Sequence, residues 1–178
     1  MPGCNQTLTG IAKDCGPNIG GIKRLLLINY DDVQKPTVDS VGGKIKAITL
    51  AGENKFKDFA LPKNVCSLAS TLNTDATNGT NFVANTLTLG FNRMDTPKRV
   101  AVAALAVNEL AALVQDNNGK WRYVSMDEGL LANGGDSGTG AAKTDANRYG
   151  IVLANEESSY PVEVETGTGG VDIDELVD

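Results

Sequence analysis

Asn81-Phe82-Val83-Ala84-Asn85-Thr86-Leu87-Thr88-Leu89-Gly90-Phe91 alternates along its whole length. Val83, Leu87, Leu89 and Phe91 point one way, with Asn85 the single break in the pattern, and Ala84, Thr86, Thr88 and Gly90 point the other. Successive side chains of a strand face opposite sides, so this reads as a long strand with one face on a core and one face small and polar. Met94-Asp95-Thr96-Pro97 follows. It reads as a helix start, with Thr96 as N-cap and Pro97 at the first helical position, where the missing N–H costs nothing. Val100, Ala103, Ala104, Val107, Leu110 and Ala111 recur at helical spacing and predict a helix over about 97–111 with a narrow stripe against a sheet. Leu113–Asp116 and Trp121–Val124 flank Asn117-Asn118-Gly119-Lys120 and predict a hairpin around an Asn-Gly turn.

Outward from this block, Ile22–Tyr30, with Leu25-Leu26-Leu27-Ile28 at its centre, reads as a buried strand ended by Asp31-Asp32. Lys44–Leu50 and Phe56–Leu61 read as a second hairpin whose face carries Lys44, Lys46, Lys55 and Lys57. That face is either solvated or a contact for an acidic partner, another copy of this acidic chain included. Val65–Leu72 is a third apolar segment, and Arg148–Ala154 with Tyr160–Glu165 a last hairpin. The resulting organisation is an N-terminal arm (1–21), a single β-rich domain (22–165) with an irregular loop (127–144), and a flexible acidic C-terminal tail (166–178). Arm and tail hold too few apolar residues to fold alone, and Val171, Ile173, Leu176 and Val177 give the tail something to dock with in an assembly.

The chain has 178 residues, enough for one core, with 5% aromatics and a formal net charge of −6. Such acidity disfavours wrapping nucleic acid by neutralising phosphates, yet suits a surface past which DNA slides without sticking; it also simply keeps a chain soluble. There is no histidine, which removes the commonest general base and metal ligand. Cys4, Cys15 and Cys66 have no metal-like spacing. Cys4 and Cys15 could close a small loop in an oxidising setting; free, buried thiols are the expectation for a cytoplasmic product. With no run of about 18 apolar residues and no basic-then-apolar pattern at Met1–Asn5, neither a transmembrane helix nor a signal peptide is expected.

Gly134-Gly135-Asp136-Ser137-Gly138-Thr139-Gly140 has phosphate-loop glycines but no closing Lys-Ser/Thr, so a flexible or assembly-ordered loop is expected. Asp31-Asp32, Asp127-Glu128 and Glu156-Glu157 are adjacent carboxylates, which point to opposite faces of a strand and read as solvated turn residues. Trp121 and Tyr123 alternate on one strand, as core residues or as interface anchors. No catalytic residue, metal site or cofactor is expected.

Leu87-Thr88-Leu89-Gly90-Phe91-Asn92-Arg93-Met94-Asp95-Thr96-Pro97-Lys98-Arg99, then Ala104-Leu105-Ala106-Val107-Asn108-Glu109-Leu110, and the opening Leu8-Thr9-Gly10-Ile11-Ala12-Lys13-Asp14-Cys15, resemble tail proteins of phages and prophages from gut Bacteroidales. The element order is similar to that of phage tail-tube proteins. The resemblance implies a mainly β fold with one α-helix, a β-sandwich or half-barrel of tail-tube type with extended N- and C-terminal arms. It implies a structural virion protein, made in the host bacterial cytoplasm, that self-assembles into stacked hexameric rings around a conduit for DNA ejection. Its partners would be further copies of itself, the tape measure and tail terminator proteins, and genomic double-stranded DNA passing without specific binding, with no membrane insertion. Subunit contacts would fall on Ile11, Ile19, Asn81, Val83, Asn85, Trp121, Gly135, Ser137, Thr139, Val171, Ile173 and Leu176, with the lysines of the basic hairpin outside the lumen or between rings. A head decoration or head–tail connector protein is the alternative, and a glycan- or host-surface-binding β-sandwich module the second.

Overall fold

The computed structural model describes residues 8–178, so Cys4 lies outside the described residues. The elements in chain order are β1 (Ile22–Asn29), β2 (Lys57–Phe59), β3 (Ser67–Asp75), β4 (Thr80–Asn92), α1 (Thr96–Val107), β5 (Leu110–Asp116), β6 (Trp121–Val124), β7 (Leu131–Ala132), β8 (Arg148–Glu157) and β9 (Val162–Val164). They form two antiparallel sheets. Sheet 1 has the order β2-β1-β5-β6-β9 and sheet 2 the order β3-β4-β8-β7. The fold is mainly β with one helix, and among the described residues no helix is long and apolar enough to cross a membrane.

The two sheets enclose a core of Leu25, Leu27, Leu87, Leu89, Phe91, Ala112, Val114, Ile151 and Leu153. The alternation of β4 is therefore real, and Asn85 keeps the inward parity although it is polar. Sheet 1 has a second core on its other face, where Leu26, Ile28, Ala111, Leu113, Trp121 and Tyr123 pack under Ile45, Phe56, Val171, Ile173 and Leu176. This explains why Leu25–Ile28 of β1 and the start of β5 are apolar at every position: both faces are covered. Each such Leu or Phe contributes about 1.5–3 kcal/mol by leaving water.

That second core corrects two expectations. The C-terminal tail is not a free appendage. Val171, Ile173 and Leu176 are buried in their own chain, and residue 177 pairs with Phe56. Lys44–Leu50 and Phe56–Leu61 do not pair with each other: β2 pairs with β1, and the Lys44–Leu50 stretch makes single bridges from Ile45 to Val38 and Val164 and from Leu50 to Val33. Ile45 and Phe56 act as plugs over sheet 1, which a solvated two-stranded hairpin would have left uncovered. Their lysines are dispersed. Lys44 meets Glu163 at 3.0 Å, Lys46 meets Asp39 at 2.9 Å, and Lys57 meets the terminal Asp178.

The last expected hairpin also separates. β8 joins sheet 2 against β4, whereas β9 joins sheet 1 against β6, with residues 158–161 crossing between them. The hairpin of β5 and β6 is as the Asn-Gly turn predicts, with Gln115 opposite Trp121 and Gly119 at φ +85°.

The helix differs at both ends and in its buried face. Asp95, not Thr96, is the N-cap, its carboxylate accepting the Lys98 N–H at 3.0 Å. The helix ends at Val107, because Leu110 is drawn into sheet 1, exchanging backbone bonds of 2.7 and 3.0 Å with Leu130. Every residue from Val100 to Val107 is apolar, so periodicity cannot select a face. Leu105, the bulkiest, is the one buried, with Val102 beside it. The expected stripe is outside: Val100 is 55% and Val107 81% exposed.

Candidate functional site

Sheet 2 is the element on which the chain's unusual groups converge, and its two edges are built differently. Beyond β7 the chain stays beside β8. Asn133 N–H donates to the Val152 carbonyl (2.7 Å), Val152 N–H to that of Gly134 (2.8 Å), and Gly138 and Arg148 exchange bonds of 3.1 and 3.0 Å. Gly135 and Gly150 permit the approach: a Cβ on Gly135 would lie 2.4 Å from the Gly150 carbonyl oxygen, and one on Gly150 2.3 Å from that of Asp136. The glycine cluster is thus a strap sealing the β8 edge, not a free loop. Ser137 Oγ accepts the Gly150 N–H at 3.2 Å, and Gly135, Ser137 and Thr139 are exposed on the strap.

At the end of β8 the carboxylate of Glu157 is buried. It accepts N–H bonds from Ser125 (2.8 Å), Met126 and Asp127 (3.4 Å), and from the Asn85 amide (3.1 Å). Asn85 also donates to Asn155 (3.1 Å) and accepts from Ser70 (2.6 Å), so a polar row crosses the sheet from β3 to β8. This explains the break at Asn85. Burial pushes the Glu157 carboxyl above its ordinary value despite the amides that favour its anion. Ser125, held at φ +108°, is a strained residue that Glu157 secures. Next to it, the Ser158 hydroxyl and N–H and the Lys35 ammonium hold Asp127 down to about 2. The corner ties sheet 2 to the β6 end of sheet 1, a structural role that adjacent acidic residues in the sequence did not signal.

The opposite edge, β3, is bare. Among the described residues its backbone pairs with β4 alone, with one local side-chain bond besides, from the Asn73 amide to the Thr71 carbonyl at 3.2 Å. A cleft of about 470 Å³ opens beside it, lined by residues 18–22, Ser67, Leu68, Ser70, Val114, Asp116, Asn118, Arg122, Tyr160 and Pro161. Most of its polar side chains are committed within the chain, Ser67 and the exposed Tyr160 apart. Asn118 donates to Asn18 (3.0 Å) and the Ile19 carbonyl (3.1 Å) and accepts the Ile19 N–H (2.9 Å). Asp116 holds Arg122 and accepts the Asn118 and Lys120 N–H groups at 3.0 and 2.9 Å. A sugar would need such groups free.

The twelve residues named from sequence as contacts fall into two sets. Val83, Asn85, Trp121, Val171, Ile173 and Leu176 are buried in their own chain, so as free contact residues they are corrected. Trp121 packs in the second core, with Arg24 5.9 Å over its ring. Ile11, Ile19, Asn81, Gly135, Ser137 and Thr139 are exposed. Cys66 is a free thiol whose burial raises it; Cys15 is free and exposed, contrary to the expectation of burial. Comparison with family models, with curated proteins and with solved structures yields no match.

Proposed function

We propose that this chain is a structural protein of a phage tail that assembles with copies of itself into stacked rings, forming a tube through which double-stranded DNA leaves. The observation that supports this reading is the outer face of sheet 2. There Ala69, Thr71, Thr86, Thr88, Val152 and Ala154 stand side by side on β3, β4 and β8. The strand rows carry Arg148 at one end and Glu156 and Asp75 at the other, with no Lys or Arg between; Asp136 of the strap lies over Gly150, next to Arg148. Duplex DNA carries one phosphate charge per about 1.7 Å, and proteins grip it by releasing counterions with Lys and Arg. A face of small hydroxyls and methyls offers no such grip, as a tube lining requires.

Two further features agree. The lysines that would have spoiled the lining, Lys44, Lys46 and Lys57, sit on the sheet 1 side in ion pairs. The helix leaves Val100, Ala103, Ala104 and Val107 uncovered, an apolar surface that association would remove from water. Negative-stain electron microscopy of the concentrated chain tests the reading. Rings or hollow tubes, six-fold on averaging, are expected. Particles that remain single and bind only to capsids point instead to a head decoration protein.

A further inference from the structure

In the cleft beside β3 most polar side chains are spent within the chain, whereas the backbone of β3 pairs on one side only. β3 runs nine residues, Ser67–Asp75, with no proline, no lysine and no charge before Asp75. These are the devices by which natural edges avoid pairing, and their absence marks a template for another strand. The chemistry such an edge accepts is an extended peptide backbone.

The chain itself carries a matching segment. Residues 8–17 form no helix or strand and are exposed throughout, with Leu8 96% and Ile11 99% exposed. In its own chain the segment makes no backbone bond to β3. Asn117 takes the Gly20 carbonyl at 2.6 Å and Asn118 clasps residues 18 and 19, which ties the base to the β5–β6 turn. We propose that Leu8–Cys15 of a second copy of this chain lies in the cleft as an added strand on β3. Eight extended residues reach about 26 Å, close to the roughly 30 Å of a nine-residue strand. Leu8–Ala12 is uncharged, as β3 is through Thr74, so pairing sets no like charges opposite each other. Leu68 and Val114 on the cleft wall receive an apolar side chain. Donor segment and acceptor edge are different surfaces, so the contact is head-to-tail and repeats around a ring or along a filament. The proposal rests on the self-assembly reading above and names the surface that carries it.

The test uses the full chain with a photoreactive benzoylphenylalanine in place of Ile11, mixed with an isotope-labelled copy. The expected result is cross-links between chains that map to residues 67–75, and at least a tenfold loss of assembled species in a Leu8→Asp, Ile11→Asp variant that melts as the parent does. Cross-links within one chain, or onto α1 or any other surface, overturn the proposal. Rings that form with cross-links elsewhere overturn it while leaving the tube standing. Cross-links on β3 in dimers or open fibres uphold it and overturn the tube. A chain that stays single, with no cross-link between copies, overturns both.

Discussion

The two edges of sheet 2 face the same physical problem and meet it in opposite ways. Along β8 the glycine-rich strap, residues 133–138, takes up the outward backbone groups, and two glycines let carbonyl and Cα approach to where no Cβ fits. Along β3 no second backbone segment does so among the described residues. An unpaired edge exposes N–H and C=O groups to any passing strand. A chain able to seal one edge and leaving the other bare beside a cleft has a directional surface. That asymmetry, more than any side-chain constellation, is what this fold offers for function.

The largest effect is expected at the sealed side's corner. Glu157→Ala leaves the Ser125, Met126 and Asp127 amides and the Asn85 side chain without their acceptor. We expect a loss of about 4 kcal/mol, a fall in Tm of about 8–16 °C for a chain of this size. Glu156→Ala, one residue away and exposed, should stay within about 0.5 kcal/mol. Thermal melts followed by circular dichroism decide it, and equal losses would sink the assignment of the corner.

Gly150→Ala breaks the comparison itself. Its Cβ would meet the Asp136 carbonyl, so the strap must move, at about 2–3 kcal/mol. Ala69→Val on the bare edge adds bulk to an exposed position and should cost under about 0.5 kcal/mol. If denaturant melts show both substitutions equally tolerated, the strap is not sealing anything.

Two carboxylates of the corner sharpen the picture through pH. Glu157 is raised by burial from 4.5. Its folded state holds the proton more tightly than the unfolded chain, so its contribution is full below that ordinary value and lost as pH rises through the shifted one. Asp127 is lowered from 3.8 to about 2. Its contribution is full above 3.8 and lost as pH falls through about 2. Asp127→Asn should therefore lower Tm at neutral pH, with the gap closing as pH falls towards about 2, and carboxyl NMR should show Glu157 titrating above 4.5. A gap independent of pH would remove Asp127 from the corner's ion pairing.

The sequence made the central block legible for local reasons. β4 alternates, β5 and β6 are joined by an Asn-Gly turn, and β1 has the apolar centre Leu25–Ile28. What it could not convey is which strand pairs with which. Lys44–Leu50 and Phe56–Leu61 look like neighbours, yet Phe56 and β2 go to β1; β8 and Tyr160–Glu165 look like a hairpin, yet enter different sheets. Such choices depend on contacts between distant residues. The docked tail is illegible for the same reason, since nothing local says that sheet 1 needs cover on its second face. The apolar run of α1 hid which side is buried. Asn85 and Glu157, the polar break and the acid that answers it, are far apart in the chain but adjacent in the sheet, and only the break was visible.

The smallest effect is expected at the clasp. Asn118→Ala removes three exposed bonds to residues 18 and 19 and should cost about 1 kcal/mol or less. Amide exchange at residues 18–21 should nonetheless quicken, while β5 and β6 stay protected. Unchanged exchange there would show that the clasp does not hold the segment.

We propose β3 as the edge through which copies of this chain meet. Hydrogen exchange, measured on the chain dilute and then concentrated, tests it most directly. We expect β3 amides in residues 67–75 to exchange fast when dilute and to gain protection on concentration, while β8 amides in residues 148–154, already bonded to the strap and to β4, stay unchanged. Protection that appears at β8 or α1 and leaves β3 as fast as before would contradict it.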